Sequence, residues 1–234
     1  ARTPTASSAR WPTWAASRAA HAMPRWIWVL LALSVAALLW AANRGSSPPV
    51  VQPMPGQSAF SCVLTPPASP LEPLQTDVPA AMQPFLHGDF SISPLAGFSI
   101  EARVLSREDY RFDAGAALSP TDLALGWSAM ANPDNYRRLD ISQSGRWYHY
   151  RWGADGPPLP LGDIVRSSAN MHLIPGNEAV AQALSRVRPD QTVRIQGWLV
   201  EARRDNYVWR SSTTRDDSGA GACELIYVCA LSSF

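Results

Sequence analysis

A chain of 234 residues with 46% apolar composition and ten tryptophans is long enough to bury one substantial core. All 20 basic residues are arginine, which excludes Schiff-base chemistry on a lysine and any phosphate-loop lysine. The net charge of +1 divides unevenly: residues 1–44 carry five arginines and no acid, and the remainder carries 15 arginines against 19 acids, which argues against binding nucleic acid by phosphate neutralisation.

Residues 1–25 are rich in Ala, Ser, Thr and Arg without apolar periodicity, and are expected to be a disordered tail. Residues 26–42 form an uncharged apolar run bracketed by Arg25 and Arg44, with Trp26, Trp28 and Trp40 at its ends. At 1.5 Å per residue such a run covers about 25 Å, and the expectation is an uncleaved transmembrane signal anchor with its N-terminus inside. Cleavage after Ala42 would place Trp40 at the −3 position, where a small residue is needed. Residues 43–84 are proline-rich and read as a semi-rigid spacer.

The folded domain is expected over residues 85–234. Phe98, Ile100, Ala102 and Val104 alternate with polar residues to give a first strand. Ser119-Pro-Thr-Asp122 resembles a helix start, with Leu123, Trp127 and Met130 as its apolar stripe. Trp147 to Trp152 reads as an aromatic strand, more readily core than a stacking platform. Asp163 to Arg166 is expected to open a strand running to Pro175, and Asn177 to cap a helix whose stripe is Val180, Leu184 and Val187. The clearest strand is Gln191 to Arg203, where Val193, Ile195 and Leu199 share one face and Gly197 marks a bulge or bend. Tyr207 to Thr213, a turn at Asp216 to Gly219, and a central last strand from Ala222 to Leu231 complete the series.

This order, strands with one helix inserted before the central strand and then more strands, resembles the oligonucleotide and oligosaccharide binding (OB) fold. The fold expectation is α+β and mostly β: a small OB-like barrel with two short helices, preceded by one transmembrane helix and the linker. The likeness is one of element order and carries no function.

Arg-Ser-Ser occurs twice, at Arg166 and at Arg210, beside the polar residues Asn170 and His172 and before Arg215. Guanidinium forks with hydroxyl donors suit a carboxylate or phosphate. The candidate binding residues are therefore Arg166, Asn170, His172, Arg210, Ser211, Ser212 and Arg215. Cys223 and His172 are the one pairing that suggests covalent catalysis, with Arg210 as the cation for a developing oxyanion. Of Cys62, Cys223 and Cys229, the last two are too far apart on one strand to bond each other, and either can pair with Cys62. No metal-ligand spacing joins His172, Cys223 and Glu224, and no cofactor is expected.

Ser168-Ala-Asn-Met-His-Leu-Ile-Pro175, Trp209-Arg-Ser-Ser and Gly219-Ala-Gly-Ala-Cys-Glu-Leu225 resemble an uncharacterised family of bacterial proteins with an N-terminal membrane segment. The resemblance spans roughly Phe85 to Val228 and implies bacterial origin and domain extent, with no activity to carry over. The expectation is a bacterial inner-membrane protein, single pass, whose periplasmic domain binds an anionic ligand or another envelope protein. The alternative is an envelope hydrolase or transferase using Cys223 and His172.

Overall fold

The computed structural model describes residues 24–43, 51–52, 62, 65, 67, 69, 71–214 and 223–234. The chain divides into two units, residues 1–46 and 47–234. In the first, the apolar run forms helix α1, Arg25–Asn43. Among the described residues no helix is long and apolar enough to cross a membrane. Residues 1–23 lie outside the described residues, as do most of those between 44 and 70.

The second unit is organised by one long strand. Strands β1 (Val51–Gln52), β2 (Leu74–Thr76) and β3 (Phe85–His87) precede β4, Phe90–Asp109, whose 20 residues exceed what a flat strand accommodates. Its first half pairs antiparallel with β9 (Thr192–Arg204), and its end pairs antiparallel with β5 (Thr121–Gly126). Register shifts at Leu95 and Leu105 add an extra residue each, and such bulges bend a strand so that it can face two partners. From β5 the pairing passes antiparallel to β8 (Ser168–Pro175), then parallel to β11 (Glu224–Ser233), and antiparallel back to β9. The five pairings β4-β5-β8-β11-β9-β4 therefore form a ring. Inside it Phe98, Ile100, Val104, Leu123, Leu125, Met171, Leu173, Val193, Ile195, Leu199 and Ile226 are fully buried, which is what their alternation along each strand requires.

Three shorter pieces position the site. Strands β6 (Leu139–Ser144) and β7 (Trp147–Trp152) form a separate antiparallel hairpin. Tyr148 and Tyr150 pack beneath it on a small cluster with Met130 and Ile164, while Trp147 and Trp152 stay exposed. Strand β10 (Tyr207–Arg210) folds back on β9. Helix α4 (Glu178–Arg186) sits between β8 and β9, capped by Asn177 as expected, and buries Val180 and Leu184.

Two expected elements are corrected. The segment after Ser119 is strand β5, not a helix: all six of its residues are buried between β4 and β8, and the Ser119 hydroxyl has no hydrogen-bond partner among the described residues and so caps none of their amides. Only a 3-10 turn, Ser128–Ala131, and a single helical turn, α2 (Pro133–Tyr136), follow. The segment opening at Asp163 is helical, α3 (Leu161–Arg166), with Asp163 and Arg166 bridged one turn apart. The strand begins only at Ser168. The predicted bulge at Gly197 lies on the partner strand instead: Val228 and Ala230 pair with Gly197 and Gln196, leaving Cys229 as the extra residue. Cys229 is bonded to Cys62, with the Cα atoms 5.5 Å apart.

Candidate functional site

Strand β8 carries the site. Its odd-numbered residues Met171 and Leu173 point into the ring, so Asn170 and His172 point out. His172 is directly registered with Asp122 on β5 and with Leu225 on β11, so each neighbour brings its own chemistry to the same outer face. The Asp122 carboxylate is completely buried. Arg146 Nη1 donates to its Oδ1 at 2.8 Å, and Asn170 Nδ2 donates to its Oδ2 at 3.2 Å. His172 Nδ1 lies 2.8 Å from the same Oδ2, although its angle falls short of a good hydrogen bond, so the pair is a close electrostatic contact. The Trp209 ring lies 4.7 Å from the imidazole between centroids, tilted at 56° to it.

Arg146 ties these parts together. It follows Gly145 in the two-residue turn of the β6–β7 hairpin, and both have positive φ, 57° and 71°, as a tight hairpin turn demands. Glycine adopts this freely; an arginine there is strained and has to be held. Here the holding is extensive. The Arg146 guanidinium donates to both oxygens of Asp113 at 2.9 and 2.8 Å, to Asp122, and to the Ser119 carbonyl, and it lies 3.7 Å over the Tyr110 ring. Burial pushes the Asp113 carboxyl up, but the hydrogen bonds and charge of Arg146 outweigh it and hold the group below the usual range.

Between the 113–115 loop, the hairpin turn and β10 opens a cleft of about 500 Å³. Its walls include Asp113, Arg146, His172, Tyr207, Trp209, Arg210 and Cys223. Arg210 Nη1 donates to Glu201 at 2.8 Å. Hydrogen bonds from Arg210 and Arg203 hold the Glu201 carboxyl below its ordinary range. Cys223 keeps its thiol and is half-buried. A second hollow, about 430 Å³ beside β2, is lined by Gln75, Thr76, Asp77, Leu95 and Ala96 and brings one ionisable residue.

The expected site residues thus fall into three groups. His172, Arg210 and Cys223 line one cleft, with Asn170 immediately behind it. Ser211 and Ser212 are buried and serve the backbone: Ser211 Oγ accepts from the Leu225 amide and donates to the Ser212 carbonyl, and Ser212 Oγ accepts from Thr214. Arg166 is exposed on α3, bonded to Asp163, and does not line the cleft. Arg215 and the turn at Asp216 to Gly219 lie outside the described residues. Among the described residues no cluster of metal-ligating side chains occurs. Sequence reasoning missed Asp122, assigned to a helix start, and Arg146, whose one signal is a Gly-Arg turn between two alternating strands. Comparison with known proteins finds no matching family model, and neither a curated protein nor a solved structure matches the chain significantly.

Proposed function

We propose that residues 47–234 form an OB-like, extracytoplasmic binding domain whose cleft takes a small organic anion. The ring of five strand pairings, with one parallel pair and α4 in the connection before β9, supports the OB-like reading. In that fold the loops after the first strand and between the fourth and fifth flank the ligand; here the corresponding segments are residues 110–120 and the β10 region, which border the cleft. The Cys62–Cys229 disulfide supports an oxidising compartment outside the cytoplasm, and the apolar run of α1 is the segment that would attach the domain to a membrane.

The observation that carries the ligand class is Arg210 on a cleft walled by Trp209 and Tyr207. Among the described residues Arg210 spends one N–H on Glu201, and a guanidinium has five donors in a planar fork. Arg146, by contrast, spends four hydrogen bonds on two aspartates and a carbonyl and shapes the cleft rather than receiving the anion. The aromatic rings suit a planar body attached to the carboxylate.

The test is isothermal titration of the full chain with benzoate, acetate and inorganic phosphate. Benzoate is expected to bind more tightly than acetate, and Arg210→Ala to weaken it about tenfold to a hundredfold, the range for a hydrogen bond to a charged group. Absence of binding by all three anions, or an affinity indifferent to Arg210→Ala, would overturn the reading.

A further inference from the structure

We propose that Asp122, His172 and Cys223 form a positioning acid, a base and a nucleophile that together transfer acyl groups from esters or thioesters. The three come from adjacent strands in that order: Asp122 on β5, His172 on β8, and Cys223 at the entry to β11. Cys223 stands just before β11, two residues ahead of Leu225, which is registered with His172. Cys223 and His172 line the same cleft.

The imidazole is set up for this role. His172 is only 3% exposed, and no strong hydrogen bond fixes Nδ1, yet Asp122 stands 2.8 Å from it and Trp209 packs on the ring. With Nδ1 turned to the carboxylate, Nε2 points away from Asp122. A buried carboxylate this close to an imidazole stabilises the imidazolium that forms when the ring takes a proton, the arrangement that activates a neighbouring thiol or hydroxyl. Arg146 and Asn170 lock Asp122 in place, so it acts through His172 as a positioning residue.

The chemistry balances without an external oxidant or reductant. His172 Nε2 takes the Cys223 proton, and the thiolate attacks the carbonyl carbon, forming a C–S bond. The C–O or C–S bond to the leaving group breaks, and that group takes the proton from His172. Water, deprotonated by His172, then attacks the thioester, releasing the carboxylic acid and restoring the thiol. Arg210, on the same cleft, is the cation available to the developing oxyanion. This proposal does not rest on the cleft holding a free organic anion.

The test uses the unreduced full chain, in which Cys62 and Cys229 stay bonded to each other, and reads Cys223 by peptide mass spectrometry. Iodoacetamide labelling of Cys223 is expected to rise through a midpoint below the ordinary thiol value of about 8.5. His172→Gln is expected to return the midpoint to that value and slow labelling at pH 7 about tenfold, and Asp122→Asn to move it part of the way. A burst of p-nitrophenol from p-nitrophenyl acetate, stoichiometric with protein and lost in Cys223→Ser, is expected to report the acyl-enzyme. An ordinary midpoint, or one indifferent to His172→Gln in a protein whose circular dichroism is unchanged, overturns the proposal. Labelling with the expected pH dependence but no burst overturns acyl transfer. Because neither readout measures anion affinity, failure here and failure of the titrations with Arg210→Ala are separable.

Discussion

His87 sets the acid limit of the fold. It is fully buried on β3, its ring edge-on to Tyr227 at 5.3 Å, and neither ring nitrogen has a hydrogen-bond partner among the described residues. Burial disfavours the imidazolium and lowers its pKa from 6.5 to about 4. Between those values the unfolded chain binds the proton and the folded chain does not, so stability rises with pH across the window and falls as pH drops from 6.5 toward 4. A shift of this size corresponds to a loss of about 3 kcal/mol. The paired carboxylates Asp109, Asp113 and Glu201 have lowered values and lose their contribution only as pH falls further. Urea midpoints measured from pH 7 to pH 4 are therefore expected to fall steeply in the native chain and to flatten in His87→Leu. An equal slope in both would remove His87 from the account.

Strand pairing decides which sequence signals were readable. Gly197 was legible as a special position in β9, because a glycine interrupting a clean alternation signals either a bulge or a close approach. The close approach is what it serves: a Cβ there would collide with the Tyr227 carbonyl across the β9–β11 ladder. Gly197→Ala is expected to destabilise by about 1–3 kcal/mol, read as a lower urea midpoint with an unchanged slope, since the backbone behind it cannot retreat. An unaltered midpoint would show that the ladder yields. β5 was illegible for the opposite reason. Burial on both faces erases alternation, and Leu123, Trp127 and Met130 happen to fall at helical spacing behind a Ser-Pro start. Losing β5 also hid Asp122, whose role depends on its cross-strand register with His172. His172, Arg210 and Cys223 could be picked out because each is a reactive or charged residue in an otherwise apolar or hydroxyl setting. Arg146 could not, because its reach depends on how the β6–β7 hairpin folds back over β8, where Gln143 and the Arg146 carbonyl both bond Asn170.

At the scale of the whole molecule, part of the segment read as a spacer is bound along the sheet. Leu74–Thr76 pairs with β4, the Ser99 hydroxyl donates to the Pro67 carbonyl at 2.6 Å, and the Glu101 amide donates to the Ser69 carbonyl at 2.9 Å. Cys62 then closes on Cys229, 167 residues along the chain, at the bulge that frees Cys229 from the ladder. Two physical effects follow from this link and they can be separated. A loop this long restricts the unfolded chain, an effect worth about 2–5 kcal/mol when a native disulfide is removed. The link also tethers the segment whose Pro67, Ser69 and Leu74–Thr76 bond β4, and this holding acts on the folded state. Cys62→Ser with Cys229→Ser is expected to lower the unfolding free energy by that amount, read as a lower urea midpoint. If the unfolded-chain effect dominates, the Glu101 amide will keep its protection from hydrogen exchange in native buffer while global stability falls. If holding dominates, Glu101 will lose protection well before the β4–β9 amides do, because its partner carbonyl on Ser69 is then free to leave. The bonds from Ser99 and β2 persist without the disulfide, so the first outcome is the expected one: the strap stays docked, and the disulfide acts chiefly by narrowing the unfolded ensemble.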